Sequence, residues 1–420
     1  MKLSKISFVI HERGWLLLII ISGLALRVAA ISLFNHLPES DELAYQSMAL
    51  NLIGGNGIVD WMGNHAMFNI GYPLFILAPI FALFDQDLFA ARLLNALLGG
   101  LAILLCYAVA KEAGIGKIGR LLAAAMWALY LPASVNVVYL AKENLMIPLM
   151  LGVIWCALRL AKEPSYIASL GCGVLFGLLA LTGNAALSLA APVTLALGFA
   201  SARLGRKLLL SLAILISAVV VATPWMVRNT QVLGAPVLNT NGGFNLYLGN
   251  NPAATGMFVS IADTPRGPSW DELRKKGEIL ASDTLKGEAI AWIKENPSTF
   301  AILAWKKAVL FWMPPFHGSK NQTSKVESGV RVMWTIQYII LLVGTIGGIF
   351  VTSLRGRPMA VFWIAIASYT AVHMLFYVTF RYREPIMPLL CVLSAMTFQS
   401  WWDRWKYTQE HSEGTLTNAV

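Results

Sequence analysis

Charged side chains are scarce in this 420-residue chain, where they make up 13% of the residues. In an ordinary soluble domain about a quarter of the residues are charged. Hydrophobic residues make up 57%, and apolar runs about 20 residues long, without strand-like alternation, recur through most of the sequence. The scarcity of charge therefore excludes an ordinary soluble protein and predicts an all-α polytopic membrane protein.

Cysteine is also rare, and the motifs of common cofactor sites are missing. The four cysteines lie in apolar runs without the spacing of a disulfide framework or a zinc site: Cys106, Cys156, Cys172 and Cys391. The histidines at 36, 65 and 317 also lack ligand spacing. No GxxxxGK[ST] or GxGxxG phosphate loop occurs in a strand–helix context. We therefore expect no metal, no cofactor and no cytosolic nucleotide-sugar site.

The apolar runs predict about ten transmembrane helices. The segment Gly71–Phe84 is apolar but short and contains two prolines, so we expect it to lie at the membrane interface without crossing. The basic N-terminal segment precedes a first span that we expect to be retained, because it is longer than the core of a signal peptide. The predicted spans lie at about 15–34, 88–109, 121–138, 144–160, 166–182, 185–202, 208–225, 331–353, 359–379 and 386–401.

Lysine and arginine are absent between Val28 and Ala91, and elsewhere they gather in short turns. Basic turns mark the cytoplasmic side of a membrane protein. With the N-terminus inside, the turns at 111–120, 159–163, 203–207 and 355–357 all lie inside, as does the tail from Arg404. The loops at 35–87, 139–143, 183–184, 226–330 and 380–385 then lie outside. The net charge of +10 is thus explained by cytoplasmic turns, without a nucleic-acid partner.

This orientation divides the chain into three modules. Residues 1–225 form an N-terminal transmembrane module whose first outer loop, 35–87, carries carboxylates. Residues 226–330 form an outer segment with a surface helix over Asp271–Glu295 and an interfacial helix over Phe300–Trp312, on which Lys306 and Lys307 are predicted to snorkel. Residues 331–420 form a C-terminal transmembrane module with a short cytoplasmic tail.

Asp41 and Glu42 are the first candidates for chemistry. They follow the first span directly, in a loop without cations. One interpretation is structural: Ser40 is an N-cap, and acids in a first helical turn favour the helix dipole. The other is functional, since a carboxylate at a membrane interface can deprotonate a hydroxyl.

Ionisable residues beside or inside other spans form the second group of candidates, because such residues are costly in a membrane. Lys142 and Glu143 lie between two apolar runs, where they are either interfacial caps or functional residues. Arg27 and Arg92 lie in the outer halves of their spans and either snorkel or hold an anionic headgroup.

Two outer segments complete the candidates. The turn 380–385 carries Arg381 and Arg383, against the charge rule for an outer loop, so a lipid phosphate is one partner for them and Glu384 is another. The segment Asn245–Pro252 is rich in amides, which suit sugar hydroxyls, although turn chemistry also explains its Gly, Asn and Pro residues.

Taken in order, these features resemble the GT-C superfamily of integral-membrane glycosyltransferases. The likeness is to the branch of protein O-mannosyltransferases and lipid A aminoarabinose transferases. It rests on short motifs spread over most of the chain: Ser40-Asp41-Glu42, Gly71-Tyr72-Pro73-Leu74, Ala91-Arg92-Leu93, Tyr139-Leu140-Ala141-Lys142-Glu143, the 247–252 segment and 381–388. The chain departs from larger members in its short length.

The resemblance implies a reaction and a location. Such enzymes move a sugar from a polyprenyl-phosphate donor to an acceptor hydroxyl outside the cytoplasm, usually with inversion. The acceptor is a protein, a glycolipid or a polysaccharide, and the enzyme is a multi-pass protein of the inner (plasma) membrane.

The resemblance also implies roles for particular residues. Asp41 would be the general base, supported by Glu42. Arg92, Arg381 and Arg383 would bind the donor phosphate. The cavity would be lined by Glu143 with Lys142, Tyr247, Asn250 and Asn251, and it would hold no metal.

Simple chemistry supports the same assignment. A phosphate-linked sugar already carries a good leaving group, so the reaction needs a base for the acceptor and cations for the departing phosphate. A transporter or flippase of lipid-linked saccharides is an alternative, although the chain lacks the internal repeats common in transporters. A polysaccharide polymerase or ligase is a second alternative. A non-enzymatic scaffold leaves the outer arginines unexplained.

Overall fold

The computed structural model describes residues 11–315, 325–350 and 356–417, which contain 17 α-helices. The N-terminal module contains ten of them: α1 (Glu12–Leu33), α2 (Asp41–Ile53), α3 (Ala78–Leu83), α4 (Leu88–Glu112), α5 (Lys117–Ala128), α6 (Leu131–Val135), α7 (Glu143–Lys162), α8 (Tyr166–Thr182), α9 (Ala190–Phe199) and α10 (Leu204–Leu233). The outer segment contains α11 (Asn241–Gly249), α12 (Trp270–Lys275), α13 (Glu278–Glu295) and α14 (Pro297–Trp312). The last three are α15 (Lys325–Gly347), α16 (Arg357–Met374) and α17 (Met387–Thr417).

Helix ends follow the local sequence. Asp87 caps α4 by accepting a hydrogen bond from the backbone N–H of Phe89 at 2.8 Å, and Ser165 caps α8 in the same way through Ala168. Helix α10 ends at Gly234, whose φ of +78° is the left-handed conformation that glycine adopts readily. The predicted all-α class is confirmed, because the described residues pair as strand-like segments only at an isolated bridge between Met257 and Val378.

Among the described residues, five helices are long and apolar enough to cross a membrane: α1, α4, α7, α10 and the segment Ser328–Phe350. The chain is therefore a multi-pass membrane protein. Shorter apolar helices at 166–182, 184–199 and 358–374, together with the start of α17, correspond to four more predicted spans. The count of about ten spans stays a prediction.

The third predicted span is not one straight helix. It consists of α5 and a second piece over Leu131–Val138, which are bent by 55° relative to each other. Pro132 explains the break, since its ring cannot continue the hydrogen bonding of the preceding turn. The segment around 71–84 is short, as predicted, and contains a π-helical turn over Pro73–Leu77 before α3.

Helix α7 lies at the centre of the bundle. In its most apolar window 78% of the residues are buried, against 22% in α1 and in α10. The largest hydrophobic cluster joins α7 to α4, α5, α8, α9, α16 and α17. The N-terminus of α7, where Glu143 lies, is thereby held inside the protein.

The outer segment is fastened to the first outer loop. The carboxylate of Glu278 on α13 accepts hydrogen bonds from the backbone N–H groups of His65 (2.5 Å) and Ala66 (3.0 Å) and from the Thr240 hydroxyl (2.8 Å). Arg228 donates to the carbonyls of His65 and Ile58. These contacts hold the loop that follows α2 against the outer helices.

The prediction that Lys307 snorkels is wrong. Its side chain is buried, and its Nζ donates to Asn250 Oδ1 at 3.0 Å and to the Met374 carbonyl at 3.3 Å. Lys307 follows Leu303 and precedes Phe311 at spacings of four, so it lies on the buried stripe of α14. Burial lowers the pKa of Lys307 to about 8. Lys306, one position earlier, is exposed.

The predicted module boundaries fall inside helices. Helix α10 continues past 225 to Leu233, and α15 begins at Lys325, before 331. The division into three modules stays a prediction.

Candidate active site

Arg381 connects two acids that are far apart in the sequence. Its Nη2 donates to Asp41 Oδ2 at 2.7 Å, and its Nε lies 3.4 Å from Glu143 Oε1. The carboxylate of Glu143, and next that of Asp41, raise the pKa of Arg381 above its usual range. We call these three residues the Arg381 cluster.

The three residues of the Arg381 cluster lie on three separate elements of the chain. Asp41 begins α2 just after Ser40, whose φ is +51° and whose side chain makes no capping hydrogen bond. Glu143 begins the buried helix α7, and Arg381 lies in the 3₁₀ turn Phe380–Ile386 between α16 and α17. The N-cap interpretation of Ser40 therefore does not describe this turn, and Asp41 is held by an arginine near the far end of the chain.

Two cavities border the cluster. The first, about 240 Å³, is lined by Glu143 and Lys142 and by an unusual number of amides, and we call it the amide cavity. Its asparagines are Asn69, Asn184, Asn239, Asn241 and Asn245, and three tyrosines, Tyr369, Tyr377 and Tyr382, complete its polar wall. Such a lining suits a polar molecule with many hydroxyl groups.

The second cavity, about 370 Å³, is lined by Arg381. Its walls are mostly apolar and include Leu131, Pro132, Val135, Val330 and Trp334, so we call it the apolar cavity. Arg331, Glu384 and Tyr139 are its other ionisable residues. Arg381 thus faces the apolar cavity while it contacts a residue that lines the amide cavity.

Glu42 turns away from the Arg381 cluster. Its carboxylate lies 2.9 Å from Nε2 of His36 and is largely buried. Burial raises the pKa of Glu42 above its usual range, and the neighbouring His36 opposes that shift. Glu42 is one residue from Asp41 but belongs to a separate contact, and its supporting role stays a prediction.

Three arginines were predicted to hold a phosphate. Within the described residues, Arg381 lines the apolar cavity, whereas Arg92 and Arg383 line neither that cavity nor the amide cavity. Arg92 donates its Nε to the Val138 carbonyl at 2.8 Å and its Nη2 to the His36 carbonyl, so it braces the loop ahead of α2. Arg27 donates Nη1 to the Gly23 and Ala128 carbonyls and is fully buried, which ties α1 to the end of α5. Arg27 does not snorkel.

Arg383 is also enclosed. Its Nη1 donates to the carbonyls of Phe311 (3.1 Å) and Met313 (2.6 Å), and its guanidinium carbon lies 4.0 Å from the centre of the Tyr338 ring. These contacts join the 3₁₀ turn to the end of α14 and to α15. The contacts of Arg383 thus hold the turn that also carries Arg381.

Tyr247, Asn250 and Asn251 are buried in the outer segment and line neither cavity. Asn250 donates to the carbonyls of Leu246 (2.8 Å) and Leu375 (2.7 Å), and Asn251 donates to that of Tyr247. The two side-chain amides thus stabilise the backbone of this segment, and Asn250 also connects it to Leu375. The predicted amide-rich segment includes Asn245, which does line the amide cavity. It does not include Asn239 and Asn241, which lie a few residues earlier and line the same cavity.

The histidines considered as metal ligands have other surroundings. His36 pairs with Glu42, and His65 lies in the loop held by Glu278. His317 lies outside the described residues. The absence of a resident metal stays a prediction.

A family model described as dolichyl-phosphate-mannose-protein mannosyltransferase matches residues 72–227. No curated protein matches the chain in sequence. Among solved structures, the chain is similar to the archaeal oligosaccharyltransferase AglB from Archaeoglobus fulgidus in complex with an inhibitory peptide and a dolichol-phosphate. That match has a TM-score of 0.55 and 14% identity and covers 97% of this chain and 52% of that one.

The apo form of the Archaeoglobus fulgidus oligosaccharyltransferase gives a TM-score of 0.56 at 15% identity, covering 96% of this chain and 52% of that one. ArnT from Cupriavidus metallidurans bound to undecaprenyl phosphate gives a TM-score of 0.46 at 16% identity, covering 92% of this chain and 78% of that one. The chain thus spans about half the length of the oligosaccharyltransferase it matches.

These matches define the class of the fold. The helices are arranged as in the Archaeoglobus fulgidus oligosaccharyltransferase, so the match shows the fold. The predicted resemblance to the GT-C superfamily is confirmed, and the family-model match covers residues 72–227.

Proposed function

We propose that this protein transfers a sugar from a polyprenyl-phosphate donor to an acceptor hydroxyl on the extracytoplasmic side of the membrane. The observation that carries the proposal is the position of Arg381, which lines the apolar cavity and contacts Asp41 and Glu143. A lipid phosphate needs a cation beside an apolar groove, and the acceptor needs a base beside a polar pocket.

The donor is assigned to the apolar cavity. Its apolar walls suit the first isoprene units, and the Arg381 guanidinium can bind a phosphate bidentately. The phosphate competes with Asp41 and Glu143 for the same guanidinium. Donor binding therefore loosens the 2.7 Å contact and leaves the Asp41 carboxylate available as a base.

The acceptor is assigned to the amide cavity. Its hydroxyl attacks the anomeric carbon, Asp41 takes the hydroxyl proton, and the bond between that carbon and the phosphate oxygen breaks. Attack from the side facing away from the phosphate inverts the anomeric centre. The asparagines and tyrosines of the cavity supply hydrogen bonds for a sugar or peptide acceptor, and the acceptor's class stays open among protein, glycolipid and polysaccharide.

The distribution of basic residues along the chain supports an outer active site. The segments that carry Asp41, Glu143 and Arg381 all fall in predicted outer loops, whereas the basic turns lie on the other side. The first outer loop, 35–87, contains no lysine or arginine, and none occurs anywhere from Val28 to Ala91. We infer that the protein lies in the inner (plasma) membrane with this cluster facing outward.

The test uses purified full-length protein and a panel of polyprenyl-phosphate sugars, with release of free polyprenyl phosphate as the readout. An enzyme releases lipid phosphate from at least one donor, and Asp41→Asn abolishes the release. A flippase instead moves the labelled lipid across vesicles without cleaving it, and Asp41→Asn leaves that movement unchanged. Translocation without release overturns the proposal.

A further inference from the structure

Glu384 is a partly buried acid that the proposed reaction does not yet use. It lies three residues after Arg381 in the 3₁₀ turn and lines the same apolar cavity. Its Oε2 is shielded from solvent and has no hydrogen-bond partner in the described part of the chain. Shielding a carboxylate oxygen from solvent without a hydrogen-bond donor costs free energy, so a structural or functional reason for this arrangement is expected.

The charged neighbours of Glu384 are occupied elsewhere. Arg381 is directed to Asp41 and Glu143, and Arg383 to the carbonyls of Phe311 and Met313. Within the described ranges, neither arginine forms an ion pair with Glu384. The titratable and charged groups around it are Arg381 and Arg383 on its own turn, Glu143 on α7 and Arg331 on α15. Tyr369 on α16 and, from the connections on either side of α6, Tyr130 and Tyr139 complete the set.

Burial, and next the negative charge of Glu143, raise the pKa of Glu384 to about 8, while Arg381 and Arg383 oppose the shift. The side chain is then a neutral carboxylic acid at pH 7. A neutral acid has one O–H to donate, whereas a carboxylate can only accept. A neutral Glu384 can therefore donate to an acceptor on a ligand in the apolar cavity that it lines.

Building on the proposed function, we propose that Glu384 is a further catalytic residue, a neutral acid that donates a hydrogen bond to the phosphate of the lipid-linked donor. Geometry supports this because Glu384 and Arg381 line one cavity, so a single phosphate can meet both the O–H and the guanidinium. A carboxylate in this position would repel the phosphate.

The hydrogen bond gains strength during the reaction. When the bond between the anomeric carbon and oxygen breaks, its electron pair stays on the phosphate oxygen, and the charge of the phosphate changes from one to two negative units. Glu384 keeps its proton, and the acceptor proton goes to Asp41. A donor aimed at charge that develops in the transition state lowers the barrier.

The experiment measures binding of undecaprenyl phosphate to the full-length protein between pH 7.5 and 9.5, where a phosphate monoester is already mostly dianionic. We expect wild-type affinity to fall roughly tenfold or more across this range as Glu384 ionises. The Glu384→Gln variant keeps the shape of the side chain and an N–H donor, but its amide does not ionise. Its affinity for undecaprenyl phosphate should therefore stay constant across this pH range. Glu384→Ala should bind weakly at every pH.

A second measurement does not depend on lipid binding. The infrared difference spectrum between the wild type and Glu384→Gln at pH 7 should contain the C=O band of a protonated carboxyl group. A carboxylate band in its place overturns the inference, as does an equal pH dependence of binding in the two proteins. If no variant binds undecaprenyl phosphate at any pH, the proposed function falls and this inference falls with it.

Discussion

The Nη2 of Arg381 lies 2.7 Å from Oδ2 of Asp41, although 340 residues separate them in the chain. Opposite charges this close attract each other strongly when they are partly shielded from water. About a third of each side chain is exposed, so a ligand can reach both groups. The contact joins the first outer loop to the last one and gives the proposed reaction its base and its cation in one place.

Asp41→Asn should remove the base without removing the cation. We expect sugar transfer to fall by a factor of about 10² to 10⁴. Binding of undecaprenyl phosphate should persist or strengthen, because Arg381 loses a competing carboxylate. Turnover and lipid binding are measured on the same preparation, and Glu39→Gln, an exposed acid two residues earlier, is the control. Full transfer by Asp41→Asn would exclude Asp41 as the base.

Arg381→Lys should weaken the donor site while keeping the positive charge. Lysine lacks the planar fork that contacts two acceptors together. We expect affinity for undecaprenyl phosphate to fall roughly 10- to 100-fold. Arg274→Lys, at an exposed arginine on α12, is the matched control. Thermal melting reports whether the substitution also disturbs folding, and unchanged lipid affinity in a folded variant would remove Arg381 from the donor site.

Lys307 should make stability depend on pH in a particular direction. Its pKa is lowered from 10.5 to about 8 in the folded protein, so the unfolded chain binds more protons between these values. The free energy of unfolding contributed by this lysine therefore rises as the pH increases from about 8 to 10.5.

The measurement compares melting temperatures of the wild type and Lys307→Met across that range. We expect the wild type to gain on the order of 1–3 °C relative to the variant. Lys306→Met, at the adjacent exposed lysine, should follow the wild type. A constant difference between the wild type and Lys307→Met would show that Lys307 is not buried as described.

Gly173 should be intolerant of a methyl group, although alanine favours helices. A Cβ added at Gly173 would lie 2.6 Å from the Ser217 Cβ and would also meet the Ile214 carbonyl, so α8 and α10 could not approach as closely. Overpacking of this kind costs about 1–3 kcal/mol. Gly171→Ala lies on the same helix with nothing within 4 Å and should be neutral or stabilising. Thermal unfolding of the two variants checks the difference, and equal melting temperatures would contradict the close packing.

Much of the fold could be predicted because hydropathy is a local property. Apolar runs predicted most helices near their observed bounds, and the proline-rich 71–84 segment was predicted to be short. The break at Leu129–Leu131 was missed, because a continuous apolar run does not reveal a 55° bend. The site was predicted in part: Asp41, Glu143 and Arg381 do come together.

The sequence by itself determined the class of protein, since composition and the length of apolar runs decide whether a chain enters a bilayer. It also determined which segments carry charge. Only the tertiary structure decided which charges meet: Arg381 lines a cavity, Arg92 and Arg383 are engaged by backbone carbonyls, and Lys307 is buried. The physical reason is that the direction of a side chain and its partner depend on helix rotation and on contacts between distant segments, which no local pattern of residues encodes.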